Sequence, residues 1–102
     1  MNAEAARWDR LATSLLEAGI AVTTTESGRS HHISFILPNG SMVAIHDKWW
    51  SKNLDKWIGW QVHVEDKNSI VRSTWPVSKK RSEIVQDVIA AKANNAATIR
   101  TV

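Results

Sequence analysis

The chain has 102 residues and a formal net charge of +3, which is length enough for one modest hydrophobic core and too little for a second. Hydrophobic residues at 43% and charged residues at 23% match ordinary globular usage and argue against a disordered or fibrous chain. The absence of cysteine excludes disulfide staples, thiolate zinc sites and a cysteine nucleophile, and it agrees with a reducing cytoplasm.

The first 28 residues carry two arginines against Glu4, Asp9, Glu17 and Glu26. Trp8, Leu11, Ala12, Leu15 and Leu16 recur there at the spacing of one helical face, so an amphipathic helix is expected over 3–18, capped by Asn2 and stopped by Gly19. No apolar run approaches the roughly 18 residues of a membrane span. With Glu4, Arg7 and Asp9 where a signal segment would be apolar, the expectation is a cytoplasmic protein with no membrane partner.

The period then changes to two. Residues 20–25 are rich in β-branched side chains, Ser27-Gly28-Arg29-Ser30 has turn chemistry, and 33–37 reads as a second strand. Pro38-Asn39-Gly40 carries the Asn-Gly pair of a tight hairpin and leads into a strand over 42–46. A fourth strand is expected over 57–65, with Ile58, Trp60, Val62 and Val64 on its core face and Trp57, Gly59, Gln61, His63 and Glu65 on the other. After a turn at 66–69, residues 70–75 read as a last strand ended by Pro76, and a second helix is expected over 78–93 with Ile84, Val85, Val88 and Ile89 buried.

Each helix and the sheet has one apolar face to hide, and laying both helices on one side of the sheet hides all three. The expected fold is α+β, a two-layer sandwich in which an antiparallel meander of four or five strands is flanked in sequence by an N-terminal and a C-terminal helix, in the order α-β-β-β-β-(β)-α. One domain over 1–95 is expected, followed by a loose tail over 96–102.

Four of the six tryptophans fall in His46-Asp47-Lys48-Trp49-Trp50-Ser51-Lys52-Asn53-Leu54-Asp55-Lys56-Trp57-Ile58-Gly59-Trp60, which is laced with lysine. On extended strands Trp49 and Trp50 point to opposite faces, and so do Trp57 and Trp60, which would leave at least one indole on the open face. A helical turn over 50–57 is the alternative, gathering Trp50, Leu54 and Trp57 over the core. Exposed indoles would serve a protein partner as hot spots or a single-stranded nucleic acid as stacking platforms, with lysines following the phosphates. Residues 48–81 hold eight lysines and arginines against Asp55, Glu65 and Asp66, so the positive charge travels with the tryptophans. Asp47 and Asp55 are read as balancing the neighbouring lysines.

Ser78-Lys79-Lys80-Arg81 puts three cations on the first turn of the expected second helix, against the sign of the helix dipole, and a bound anion would make the arrangement favourable. The run resembles the helix start of double-stranded-RNA-binding domains: Lys79 and Lys80 match the first two lysines of their Lys-Lys-x-x-Lys motif, while Glu83 stands where the last would be. His46-Asp47-Lys48-Trp49-Trp50, Gly59-Trp60-Gln61-Val62-His63, Ser69-Ile70-Val71-Arg72-Ser73-Thr74-Trp75-Pro76 and Lys79-Lys80-Arg81 together resemble small accessory proteins of unknown function from actinobacterial phages. That resemblance implies host cytoplasm and often a host factor as partner.

His46, His63 and Glu65 could meet on the open face, but no metal-ligand spacing supports a site, and no nucleophile elbow, P-loop or dinucleotide fingerprint is present. The sequence thus points to a non-enzymatic binding module without cofactor or metal. Its contact residues are Lys48, Trp49, Trp50, Lys52, Lys56, Trp57, Arg72, Lys79, Lys80 and Arg81. Its partner is nucleic acid or, as the alternative, a host protein, and a homodimer through the open sheet face is an option.

Overall fold

The computed structural model describes residues 3–27, 30–50 and 53–96. In chain order they form α1 (Ala3–Glu17), β1 (Thr23–Ser27), β2 (Ser30–Ile36), β3 (Met42–Trp50), β4 (Asn53–Glu65), β5 (Val71–Thr74) and α2 (Arg81–Ala96). The strands make one antiparallel five-stranded sheet in the order β1-β2-β3-β4-β5. Both helices lie on one face of it, α1 against β2 and α2, and α2 against β4 and β3. The α+β meander flanked by two helices is therefore the observed architecture. α2 runs three residues past its expected end at 93, so Ala96, expected in the tail, is helical, while Asn2, Gly28, Arg29 and 97–102 lie outside the described residues.

The stop of α1 explains why β1 begins three residues later than expected. Gly19 takes φ 81°, its N–H reaches the Leu16 carbonyl at 2.9 Å, and the Ile20 N–H reaches the Leu15 carbonyl at 2.9 Å. This double bond is the Schellman arrangement, in which the residue after the left-handed glycine packs back on the helix. Ile20 and Leu15 are both in the core, so Ile20 belongs to the helix stop and the extended chain starts only at Thr23. The Asn-Gly hairpin forms as expected: Gly40 takes φ 87°, the Leu37 N–H donates to the Ser41 carbonyl at 2.7 Å, and Asn39 Oδ1 accepts from the Ser41 N–H at 2.9 Å.

The core joins Trp8, Leu11 and Leu15 of α1 to Ile33 of β2, Val43 and Ile45 of β3, Trp60, Val62 and Val64 of β4, and Ile84, Val88 and Ala91 of α2. Two expected core positions on the helices are corrected. Leu16 is 61% exposed and Ile89 is 40% exposed. Each follows a buried residue by one position, about 100° around the helix, and so falls beyond the edge of a stripe that the sheet covers. Ala91 completes the α2 stripe instead, one turn after Val88.

Beyond Thr74 the chain keeps to the edge of β4 without being a regular strand. The Trp75 N–H donates to the Val62 carbonyl at 3.0 Å, Gln61 Nε2 donates to the Trp75 carbonyl at 2.9 Å, and Ser78 exchanges two backbone bonds with Trp60 at 2.8 and 2.9 Å. This edge segment decides where α2 starts.

Candidate functional site

The tryptophan-rich stretch is the far half of the β3–β4 hairpin, paired as Asp47↔Trp60, Lys48↔Gly59, Trp49↔Trp57 and Trp50↔Asn53. The helical turn over 50–57 does not form, because β3 runs to Trp50 and β4 starts at Asn53. Among the described residues, β2 pairs with β3 only as far as His46, so the hairpin extends past its neighbours. Ser51 and Lys52 lie outside the described residues, as does the side chain of Trp50.

A bulge reverses the expected parity of β4. Successive pairs skip Ile58, and Gly59 takes φ 137°, a conformation that L side chains rarely adopt. The extra residue turns Trp57 onto the same face as Trp60, with ring centroids 4.9 Å apart and planes at 80°. Trp57 packs against the core and Ile58 does not, contrary to the alternation read from the sequence. An ideal Cβ on Gly59 would stand 2.6 Å from the Ser78 carbonyl oxygen and 3.0 Å from Val77 Cγ1, so glycine is required both by the turn of the backbone and by the edge segment lying against it.

Three of the six indoles, those of Trp8, Trp57 and Trp60, are thereby drawn into a joint between α1 and the hairpin. Trp8 Nε1 donates to Asp47 Oδ2 at 3.0 Å and Trp57 Nε1 donates to Asp47 Oδ1 at 2.8 Å, so one carboxylate clamps two rings. Trp60 meets Trp8 edge-on at 6.4 Å, and the Arg7 guanidinium lies 4.2 Å above the Trp57 ring, a cation–π contact. Trp60 Nε1 and Arg7 Nε are buried without a hydrogen-bond partner. Trp8 and Trp60 are each 2% exposed, while Trp57 and Trp75 are half-buried and packed on the core. Trp49 is also half-buried. Asp47 therefore accepts from two indoles, a role beyond the counter-charge for lysine read from the sequence. Trp57 leaves the set of exposed stacking rings.

The cations divide between two places. Lys48 faces Gly59 across the hairpin, Lys56 is exposed on β4, and the chain leaves Ser78, which touches Gly59, into exposed Lys79, Lys80 and Arg81. The bulge at Gly59 thus lies between Lys48 of β3 and the edge segment that leads into the basic run, in the far half of the hairpin, with Lys56 three residues before it on β4. Arg72 is not with them: it lies on β5 beside the opposite end of the hairpin, and its Nε donates to Asp66 Oδ2 at 2.7 Å.

Only Arg81 is within α2, which corrects the expectation of three cations on the first helical turn. Ser78 Oγ accepts from the Lys80 N–H at 3.0 Å and donates to Glu83 Oε2 at 2.6 Å, and Glu83 Oε1 lies 3.8 Å from Lys80 Nζ. Glu83 puts a negative charge at the positive helix end, where the dipole favours it. Glu83, where the double-stranded-RNA-binding pattern has a lysine, thus joins Ser78 and Lys80 at the start of the helix.

The open sheet face carries a second group. The His46 and His63 rings stack edge to face at 4.9 Å, and His63 Nε2 lies 3.1 Å from Glu65 Oε1. Among the described residues, no group of three His, Asp or Glu side chains is placed to hold a metal ion. A shallow hollow of about 330 Å³ is lined by Pro76, Ser82, Glu83, Gln86 and Asp87, and burial, with the Glu83 charge adding to it, raises the Asp87 pKa above its ordinary value. No helix among the described residues is long and apolar enough to cross a membrane.

No protein-family model, curated protein or solved structure matches this chain.

Proposed function

We propose that the chain is a non-catalytic module that binds nucleic acid by its phosphates, through Lys48, Lys56, Lys79, Lys80 and Arg81 around the Gly59 bulge in the far half of the β3–β4 hairpin. The contact of Ser78 with Gly59 carries this reading, because it brings the segment that leads into the basic run against the strand position that faces Lys48. The half-buried and buried indoles support a change of mode from the one the sequence suggests. Rings bonded to Asp47 or covered by Arg7 are poor stacking platforms, so electrostatic contact with the backbone dominates and base-specific contact is minor. A phage origin and a host cytoplasm belong to the same proposal.

The test is the salt dependence of binding to a labelled oligonucleotide. Five phosphate contacts give a slope of log K against log salt of about −3.5 on a single strand, and changing Lys79, Lys80 and Arg81 to alanine reduces it to about −1.4. A flat salt response in the parent protein, or a slope that the triple variant leaves unchanged, removes these cations from the function.

A protein partner, possible also as a second copy of the chain, is the alternative, favoured by Ile36, Ile70 and Val71, which are 68%, 51% and 52% exposed at the other end of the sheet. Capture of a protein from nuclease-treated lysate that Ile36→Ser and Val71→Ser abolish would favour it over nucleic acid.

A further inference from the structure

We infer that the sheet face not covered by helices seats a second copy of this chain, related by a two-fold axis that runs across the strands. Such a dimer needs no nucleic acid and is tested without one. Residues directly opposite each other on paired strands share a face, so the pairing lays out the described part of this face in rows. Ile36, Met42, Glu65 and Val71 form the end row, and Ser34, Ala44, His63 and Thr74 form the next. His46 with Gln61 follows, and then Lys48 with Gly59 in the far half of the β3–β4 hairpin.

The end row is apolar and largely in solvent. Ile36 is 68% exposed and Val71 52%, with neighbouring Ile70 at 51%. Exposed apolar groups gathered at one place mark a contact surface. The whole face is large enough for a stable pair. From Met42 to Lys48 it runs six residues, roughly 20 Å, and from β2 to β5 it crosses three strand spacings, roughly 14 Å. With the width of the outer rows and strands this is on the order of 500 Å² in flat projection on each copy. Two copies together bury on the order of 1,000 Å² or more, the size that separates specific interfaces from adventitious ones.

Charge selects the copy and the direction of the axis. Among the described residues of these four rows, the formal charges are Glu65 in the first and Lys48 in the last. Arg72, skipped in the pairing between Val71 and Ser73, is held by Asp66 beyond the first row. A two-fold axis along the strands sets each row against its own counterpart, with Glu65 near Glu65 and Lys48 near Lys48, which is repulsive. An axis across the strands, between the rows of Ala44 and His46, sets the first row of each copy on the last row of the other. Glu65 then lies over Gly59 of the other copy, where no side chain stands in its way, about 4.8 Å across the sheet from Lys48 of that copy. The contact occurs twice by symmetry. Lys48 in turn lies over Met42, whose apolar chain its methylene stem can cover. Glu65 Oε1 is 3.1 Å from His63 Nε2, a bond that keeps the carboxylate on this face. Lys48 is thus shared between this role and phosphate contact, whereas Lys79, Lys80 and Arg81 lead away from the face into α2.

The experiment is sedimentation velocity of the full chain without oligonucleotide, from about 5 to about 500 μM, since mass action reveals a dimer by its concentration dependence. The parent protein should pass from monomer to dimer and go no further, because a two-fold contact closes on itself. Lys48→Glu and Glu65→Lys should each weaken dimerisation at least about tenfold, by turning two attractive contacts into repulsive ones. The combined Lys48→Glu/Glu65→Lys variant should restore it to near the parent value, and Ile36→Ser/Val71→Ser should weaken it. A parent that stays monomeric over the whole range overturns the inference. So does a dimer that either charge reversal leaves unchanged, one that the combined variant fails to restore, or growth into larger assemblies. Should a variant fail to fold by circular dichroism, dilution of the isotope-labelled parent decides by NMR: the amide signal of Ala44, in the middle of the face, should move between concentrated and dilute samples while that of exposed Lys92 on α2 stays. An unmoved Ala44 signal refutes the contact.

Discussion

Replacing Gly59 with alanine tests whether the bulge assembles the site. The added methyl would sit 2.6 Å from the Ser78 carbonyl oxygen and 2.8 Å from its carbon, on a residue held at φ 137°. Backbone atoms cannot rotate aside as a side chain can, so either Gly59 leaves its conformation or Ser78 leaves the edge of β4. The conformational cost is about 1 to 3 kcal/mol. Loss of the two Trp60–Ser78 backbone bonds adds roughly 0.5 to 1.5 kcal/mol each, giving about 2 to 6 kcal/mol in all. Domains of this size have about 5 to 15 kcal/mol in total, so the variant should lose at least about 10 °C in Tm. Gly19→Ala is the control, because Gly19 also has positive φ at 81° but nothing within 4 Å of its Cβ position. It should cost only about 1 kcal/mol. The assay is urea unfolding of both variants, with hydrogen exchange at the Ser78 amide and the salt slope of oligonucleotide binding measured on Gly59→Ala at a temperature where it is folded. The expected outcome is a larger loss for Gly59→Ala than for Gly19→Ala, a fast-exchanging Ser78 amide, and a shallower slope as the basic run separates from Lys48 and Lys56. Equal stability losses, with Ser78 still protected, would refute the claim that the bulge and the edge segment are locked together.

Asp47→Ala leaves the indole N–H groups of Trp8 and Trp57 without their carboxylate and should destabilise by about 2 to 5 kcal/mol in urea unfolding, with a change in tryptophan emission; a neutral result would mean that the clamp contributes nothing. Arg72→Ala should leave the salt slope of oligonucleotide binding unchanged, since Arg72 is engaged by Asp66 at the other end of the sheet. Asp66 and Asp87 should respond to pH with opposite signs. The Ile70 N–H chiefly, with Arg72 and the Asn68 N–H, holds the Asp66 pKa below its ordinary 3.8, so this carboxylate stabilises the fold above that value and the contribution is lost as pH falls through the lower folded one. Asp66→Asn should therefore be destabilising at neutral pH and neutral in strong acid. Burial first, then Glu83, raises the Asp87 pKa, so its ionised form costs stability above that raised value, and Asp87→Asn should stabilise at neutral pH with the gain vanishing below about 3.8.

Much of the fold follows from local chemistry that the sequence displays. The three-and-four spacing of Trp8, Leu11 and Leu15 and the stop at Gly19 define α1, and Asn39-Gly40 defines the β2–β3 hairpin, because each signal acts within a few residues of chain. The alternation of Trp60, Val62 and Val64 gives the core face of β4 for the same reason. The parity of Trp57 did not follow, since a single unpaired residue inverts every side chain beyond it, and a lone glycine in a strand marks such a position without fixing what it does. The role of Asp47 was hidden as well. Its partners Trp8 and Trp57 stand 39 and 10 residues away, and nothing local distinguishes a carboxylate that balances lysines from one that accepts two indoles.

By itself the sequence determined the kinds and order of the elements, the covering of one sheet face by two helices, and the presence of a basic, tryptophan-rich stretch. The tertiary structure alone decided which indoles turn inward and which cations share a surface. Helical and strand periodicities are set by neighbours along the chain, whereas the bulge at Gly59 is held in place by Ser78, a residue 19 positions later whose backbone occupies the space a side chain would need.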